Sequence, residues 1–370
     1  MLRFLHAGDL HLESPLSAFS PRAATARREG QYAAFEKLLA AGIERGAQLV
    51  LLSGDCFDTP TPNADAVQRF YRILGALSVP VVIAPGNHDY YTVHGPWTST
   101  QRPANVLVFE TPVLSYFDFP ELNTVVCGFA YTRETAEGPD IGQAADLPEG
   151  RIPLLLAHSD VASPLSPYAP ISSGQLEQSG YAYAALGHIH KPMPAKRYGK
   201  TLAAYSGFFA GRGFDELGCG QARLVEIDEN GVRELVIASE APTFERRTLD
   251  CTGAQSATDV RTLLCKWIEE LELSPETALR VVLEGDVGLD CHVDTAVLAY
   301  HGNDYALFEV VDNTLPLYDA AYLEKAPTLQ GAYYRALLPK LNSEDAKVRE
   351  TAAAALRLGL SALAGREVQL

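Results

Sequence analysis

The sequence predicts an α/β protein: short buried strands with helices outside them, then a small α+β unit and terminal helices. Three observations carry this reading. Short, mostly apolar runs of the kind buried on both faces recur through the first two-fifths of the chain. Helical periodicities separate the first three of them. The texture then changes after about residue 240.

The first run, "RFLHAGD", is followed by "RREGQYAAFEKLLAAGIERGA", in which Tyr32, Phe35, Leu38, Leu39 and Ile43 return at helical spacing. "QLVLLSGD" is the second strand. "NADAVQRFYRILGALSVP" is the second helix, opening on a capping Asn63 or Asp65 and closing before Pro80. "VPVVIAPGN" completes a strand–helix–strand–helix–strand series, which requires parallel βαβ units. "TVVCGFA", "IPLLLAHS" and "YAALGHIH" read as further buried strands. "TLAAYSGFF", "GQARLVEID" and "RELVIAS" follow without intervening helices, so they predict a second, more antiparallel sheet packed on the first. The large domain is thus expected over residues 1–240. From "APTFERRTLD" the order strand, helix (about Ala257 to Leu271), strand "ALRVVLEGD", short helix, strand "YALFEVVD" predicts a small α+β unit over 241–316. Residues 317–370 carry two helical runs, the second opening on Ser343 with acidic residues in its first turn.

The chain has 370 residues, enough for one large domain and smaller ones with a proper core. No apolar stretch reaches the length that spans a bilayer, and "MLRFLHAGDLHL" runs straight into strand-like sequence, so a cytoplasmic protein without a membrane segment is expected. The six cysteines are scattered with no C-x-x-C pair, which suggests neither a disulfide framework nor a thiolate zinc site. The formal charge of −16 repels phosphate backbones at long range unless basic residues are gathered locally.

Polar residues collect where the strands end. "HAGDLH" supplies Asp9 and His11, "SGDCFD" Asp55 and Asp58, "PGNHD" Asn87 and His88, "AHSD" His158, and "GHIH" His188 and His190. In a parallel sheet the carboxyl ends of the strands share one edge, so five separated segments deliver one cluster. Carboxylates, an amide and imidazoles in one cleft are costly to bury unless something positive sits among them, and a divalent metal answers that need. The donors are nitrogen and oxygen without thiolate, which suits manganese, iron or zinc. There are too many ligands for one ion, which argues for two. A lone D-x-H or G-N-H-D carries little, because turns favour these residues for backbone reasons; five such blocks in order do not arise from turn chemistry. Asp160, Glu13 and His94 read as solvated loop residues, and His6, His292 and His301 as structural.

These blocks resemble the calcineurin-like metallophosphoesterase superfamily, with its D-x-H, G-D-x-x-D, G-N-H-D/E, lone H and G-H-x-H motifs, over about residues 1–210. Within it, "GDCFDT", "ALGHIHKP" and "YSGFFAGRGFDELGCGQARLVEID" look most like the SbcD and YhaO type of DNA repair exonuclease. The resemblance implies a four-layer α/β/β/α sandwich with a small α+β capping domain and C-terminal helices. It makes Asp9, His11 and His190 ligands of one divalent metal and Asn87, His158 and His188 ligands of the other, with Asp55 bridging. Manganese is expected, with iron or zinc as alternatives. His88 becomes the catalytic histidine, oriented by Asp58, with Asp89 the competing candidate.

Two cations roughly 3.5–4 Å apart would activate a water for in-line attack on phosphorus. The expected activity is metal-dependent cleavage of DNA phosphodiester bonds; the alternative is a phosphodiesterase or phosphatase acting on a small nucleotide or other phosphoester. A non-enzymatic subunit that only scaffolds an ATPase is a third reading, opposed by the intact ligand set. Lys191, Lys196, Arg197 and Lys200 stand beside "GHIH", with Arg212, Arg246 and Arg247 further on. Lys191, Arg197 and Arg212 are candidate substrate-binding residues, although a solubilising loop accounts for the same charges. Tyr205 and Phe208 are suited either to stacking on bases or to filling the core. The resemblance also implies a partner, an SbcC-like ABC/coiled-coil ATPase docked through the terminal helices, and admits a homodimer. The stripe Tyr334, Leu337, Leu338, Leu341 and the residues Leu356, Leu358, Leu360 and Leu363 fit that docking, or packing within the chain itself.

Overall fold

The computed structural model describes residues 1–142, 147–161, 163–288 and 291–365. It divides into two compact units, Met1–Phe244 and Glu245–Leu370.

The first unit begins with β1 (Leu2–Ala7), α1 (Pro21–Glu44), β2 (Val50–Leu52), α2 (Ala64–Gly75), β3 (Val81–Ile83) and β4 (Val106–Val108). It continues with β5 (Ser115–Phe119), β6 (Thr124–Gly128), β7 (Ile152–His158), α3 (Ser173–Ser179), β8 (Tyr183–Gly187), β9 (Lys196–Tyr198) and β10 (Thr201–Tyr205). A final hairpin is formed by β11 (Gln221–Asp228) and β12 (Gly231–Ala238). Helix starts follow from local chemistry. Ser20 caps α1 by accepting from the amide of Ala23, with Pro21 in the first turn. Asn63, rather than Asp65, caps α2.

Two six-stranded sheets form, in the orders β12-β11-β1-β2-β3-β4 and β5-β6-β7-β8-β10-β9. β1 to β4 are parallel, and so are β6, β7, β8 and β10. Strand alternation assigns the faces. Leu5 and Ala7 point to a core shared with Phe35, Leu38 and Phe70 of the helices, whereas Leu2 and Phe4 meet Leu154, Leu156 and Tyr183 of the opposite sheet. The intervening residues of that sheet, Leu155, Ala157 and Ala184, bury against Leu176 of α3. The layers are therefore α/β/β/α, as the resemblance implies.

The distribution of strands differs from the expectation for residues 201–239. β10 joins the parallel centre of the second sheet beside β8, whereas β11 and β12 fold back onto β1 and extend the first sheet. The second sheet is built mainly from β6, β7 and β8, which read as further strands of the parallel series. The reason is physical: a strand between two sheets and a helix layer is apolar on both faces in either sheet, so its composition carries no sheet assignment. His6 is structural as expected. It lies buried between the sheets, its ring bonded to the Tyr183 hydroxyl (3.1 Å) and Ser53 Oγ (3.2 Å). Burial, aided by the Arg223 charge, lowers its pKa to about 3.

The second unit carries β13 (Phe244–Asp250), α4 (Ala257–Glu269), β14 (Ala278–Glu284), β15 (Asp286–Val287), α5 (Thr295–Ala299), β16 (Leu307–Asp312) and β17 (Leu315–Pro316). Its three-stranded sheet has the order β13-β14-β16, and Leu249, Val260, Leu264, Val281 and Leu298 form its core. α6 (Ala320–Lys325), α7 (Leu329–Leu341) and α8 (Ala346–Leu363) follow. α8 starts three residues after the expected Ser343, because the Asp345 carboxylate accepts from the amide of Lys347 and makes the cap. Tyr334 packs with Leu323, Leu356 and Leu360, and the partly buried Leu337, Leu338 and Leu341 border this small core, while Leu358 and Leu363 remain exposed. Among the described residues no helix is long and apolar enough to cross a membrane.

Candidate metal centre

β1, β2, β3, β7 and β8 all end at one edge, and the loops that leave them carry the cluster. The loops after β1 and β2 are zipped together: the amides of Asp9, His11 and Leu12 donate to the carbonyls of Gly54, Asp55 and Cys56 at 3.0, 2.9 and 2.9 Å. This ladder holds unusual backbone. Asp9 (φ 50°), His11 (42°), Asp55 (48°) and His188 (99°) are all left-handed without being glycine. Such conformations cost on the order of 1–3 kcal/mol each and persist only where the surroundings enforce them. Close approach explains the glycines beside the ligands. A Cβ on Gly86 would lie 2.2 Å from Asp55 Oδ1, and one on Gly187 would lie 2.1 Å from the Ser53 carbonyl.

The ligating atoms converge. His11 Nε2 and His190 Nε2 are 3.1 Å apart, and Asp9 Oδ1 is 3.6 Å from the latter. Asn87 Oδ1 lies 2.9 Å from His158 Nε2. Asp55 Oδ2 stands between these groups, 3.6 Å from His11 Nε2 and 3.3 Å from His158 Nε2. The ring of His188 sits 5.2 Å from that of His158, centroid to centroid. Asp9 and Asp55 are 1% and 2% exposed, so two carboxylates and several imidazoles share a space almost closed to water. Buried acids facing inward nitrogen lone pairs, with no thiolate, form a donor set that fits a pair of divalent cations.

A further ring of groups turns three of the imidazoles. His11 Nδ1 bonds Asp58 Oδ1 at 2.8 Å, His190 Nδ1 bonds Glu216 Oε1 at 2.5 Å, and His158 Nδ1 donates to the Ser53 carbonyl at 2.9 Å. Each bond leaves Nε2 facing the centre. His88 stands apart: its amide donates to Asp55 Oδ1 (2.9 Å) and its ring Nδ1 to the Asp58 carbonyl (3.3 Å), while its side chain is 40% exposed. It opens on a cleft of about 310 Å³ lined also by Thr59, Asn87, Tyr90, Glu134 and Tyr168. Of the two acids considered for orienting His88, Asp58 is the nearer. Its carboxylate is 3.7 Å from His88 Nδ1, although closer to His11. Asp89 is buried and faces away, accepting from the amides of Gly86 (2.7 Å), Cys56 (2.7 Å) and Phe57 (3.2 Å), and so ties the second ligand loop to the third.

The basic candidates divide. Arg212 lies inside the cluster, with its side chain only 24% exposed and donating to Asp58 Oδ1 (2.9 Å) and Glu216 Oε1 (3.1 Å). Lys191 is exposed immediately after His190. Arg197 is outside the cluster, on the edge strand β9 opposite Leu202, where it donates to the Lys200 carbonyl. Tyr205 and Phe208 are buried and fill the core, the Tyr205 hydroxyl donating to the Ser159 carbonyl. Glu13 accepts from the Tyr32 hydroxyl at 3.0 Å. Sequence reasoning missed Glu216; its signal was the four-residue spacing from Arg212 within "GRGFDELG".

Electrostatics among these side chains point the same way. Burial opposes charge on Asp55 and on His158, yet their mutual attraction prevails, holding the carboxylate below its ordinary range and the imidazole above it. Burial, with the neighbouring His158 charge, lowers His188 to about 4, and burial raises Asp9. The attraction between Asp55 and His158 thus offsets part of the cost of burying these acids, and a metal ion among them would meet the same need.

A four-layer sandwich with this donor set at the carboxyl ends of its strands defines a metallophosphoesterase. Residues 2–192, more than half of the chain, match the calcineurin-like phosphoesterase family, and the chain belongs to it; the family uses a dinuclear divalent metal site. Among its relatives is the uncharacterized metallophosphoesterase YhaO of Bacillus subtilis (strain 168), 25% identical over 296 residues that cover 77% of this chain and 72% of that protein. The SbcD component of the SbcCD nuclease from the same organism is 28% identical over 286 residues, covering 65% and 71%. The DNA double-strand break repair protein Mre11 of Aeropyrum pernix is 26% identical over 216 residues, about half of each chain (52% and 50%).

Proposed function

We propose that this protein is a metal-dependent nuclease that cleaves DNA phosphodiester bonds, of the exonuclease or endonuclease type used in DNA repair. The observation that carries the reading is the placement of His88, open to a cleft, directly beside a buried donor set for two cations. The names of two relatives, a nuclease component and a DNA double-strand break repair protein, support DNA as the substrate.

Asp9, His11 and His190 would hold one ion and Asn87, His158 and His188 the other, with Asp55 shared between them. Bound there, two divalent ions, manganese first among the candidates, supply an acidified water and neutralise charge on the phosphate oxygens. The chain supplies the rest. Asn87 contributes a neutral oxygen, which limits the negative charge facing a phosphodiester. His88 has its Nδ1–H directed at the Asp58 carbonyl, so Nε2 is the ring atom through which it would pass a proton to the departing sugar oxygen. Ordered backbone around Asp9, His11 and Asp55 fixes the ligands before substrate arrives, so little reorganisation accompanies the reaction. The exposure of Lys191, next in the chain to His190, supports its contact with a second phosphate of a strand.

In the same reading residues 241–316 have the role of a capping domain, and the protein works in the cytoplasm with an SbcC-like ATPase. Exposed Leu317, Tyr322 and Leu329 around α6 and α7 support docking there. The test is an assay of purified protein in manganese on labelled single- and double-stranded DNA and on bis-p-nitrophenyl phosphate, with His88→Ala as control. DNA cleavage abolished in the variant is expected. Turnover of the small diester without any DNA cleavage would replace the nuclease reading with a small-phosphoester one.

A further inference from the structure

The two halves of the centre are supported differently. On one side both ring ligands are backed by carboxylates, His11 by Asp58 at 2.8 Å and His190 by Glu216 at 2.5 Å. A single guanidinium joins those acids: Arg212 reaches Asp58 Oδ1 at 2.9 Å and Glu216 Oε1 at 3.1 Å, and its amide donates to Glu216 Oε2 at 2.9 Å. On the other side His158 is backed by a backbone carbonyl at 2.9 Å. Among the described residues the His188 ring has aromatic neighbours, Tyr168 and His158 with centroids 4.7 and 5.2 Å away, and no hydrogen-bonded carboxylate. A carboxylate on the far nitrogen makes an imidazole a stronger and more rigid ligand, and losing such a partner typically costs about 10–100-fold in metal affinity.

We infer that Arg212 is a positioning residue: it pins Asp58 and Glu216 against His11 and His190, so that the Asp9/His11/His190 side takes its ion more tightly than the Asn87/His158/His188 side. The inference rests on the two-cation reading of the site. It places Arg212 behind the ligands instead of on the substrate, and it gives Glu216 the task of orienting His190.

A calorimetric titration of the metal-free protein with manganese, followed in parallel by manganese electron paramagnetic resonance, tests it. Wild type should bind two ions in separable steps. Glu216→Gln should weaken the tighter step by about 10-fold or more and leave the other in place. Arg212→Met gives the sharper result, because two effects have opposite signs. Removing a positive charge should on Coulomb's law tighten both steps, whereas loss of the clamp should weaken the first alone.

Weakening of the first step in both variants supports the inference. Tightening of both steps in Arg212→Met, or an unmoved first step in Glu216→Gln, overturns it. Thermal unfolding of the metal-free variants checks that each is folded, and Glu216→Gln decides alone if Arg212→Met is not. Fewer than two ions on wild type would defeat the two-cation reading itself, a result distinct from two ions with indifferent variants.

Discussion

Asp89→Ala tests how the ligand loops are held. The Asp89 side chain is fully buried and accepts from three backbone amides, those of Gly86, Cys56 and Phe57 at 2.7, 2.7 and 3.2 Å. It therefore connects the loop that carries Asp55 to the loop that carries Asn87 and His88. Truncation leaves three amide donors without a partner in a space closed to bulk water. At roughly 1–3 kcal/mol for each unsatisfied buried group, and with water recovering part of the loss, the cost should be about 3–5 kcal/mol. That is a large share of the roughly 5–15 kcal/mol typical of a folded domain.

Urea unfolding in chelator, comparing midpoints at unchanged slope, measures this cost without any contribution from metal. Manganese titration of the same variant should show weakened uptake, since Asp55 and Asn87 would lose their fixed separation. A stability loss under about 1 kcal/mol with manganese uptake intact would refute the reasoning, and would show that the left-handed backbone at Asp55 is held by the ladder to Asp9 and His11 alone.

Further outcomes follow from other residues. His88→Ala should keep both ions while lowering turnover by about 100-fold or more, whereas Asp55→Ala should lose metal and activity together; metal content beside steady-state rates separates them. Gly86→Ala places a Cβ 2.2 Å from Asp55 Oδ1 and should abolish metal binding or folding, read by the same titration and by circular dichroism. Burial holds His6 near 3 in the folded protein against 6.5 in the unfolded chain. The unfolded chain therefore binds a proton between those values that the folded one does not, and stability should fall as pH drops through that window, by up to about 1.4 kcal/mol per pH unit. Chelator-treated His6→Asn should show a shallower slope than wild type over pH 4–6, and equal slopes would contradict the assignment. Chelation should lower the melting temperature of wild type, since an ion present at about 100 times its dissociation constant contributes about 2.7 kcal/mol.

How much of this was legible beforehand depended on the kind of signal. Asp9, His11, Asp55, Asn87, His158 and His188 each follow a short apolar run, and parallel strands bring their carboxyl ends to one edge, so their convergence follows from topology alone. Sheet membership was not legible, because β10 and β11 present apolar residues on both faces and an apolar neighbour looks the same in either sheet. Arg212 and Arg197 carry the same charge in the sequence, yet one is folded against Asp58 and Glu216 and the other lies on an edge strand. Glu216 meets a histidine 26 residues away, a contact that only the folded chain creates. The resemblance makes Asp58 the acid that orients His88 and Asp89 its competitor; that the Asp89 carboxylate instead accepts from the amides of Cys56, Phe57 and Gly86 is a contact the sequence does not signal.

The most direct measurement is an anomalous difference map from crystals grown with excess manganese. Two peaks are predicted, one among Asp9, His11 and His190 and one among Asn87, His158 and His188, both adjoining Asp55. A map with no peak there, or with density touching none of these side chains, would contradict the account at its centre.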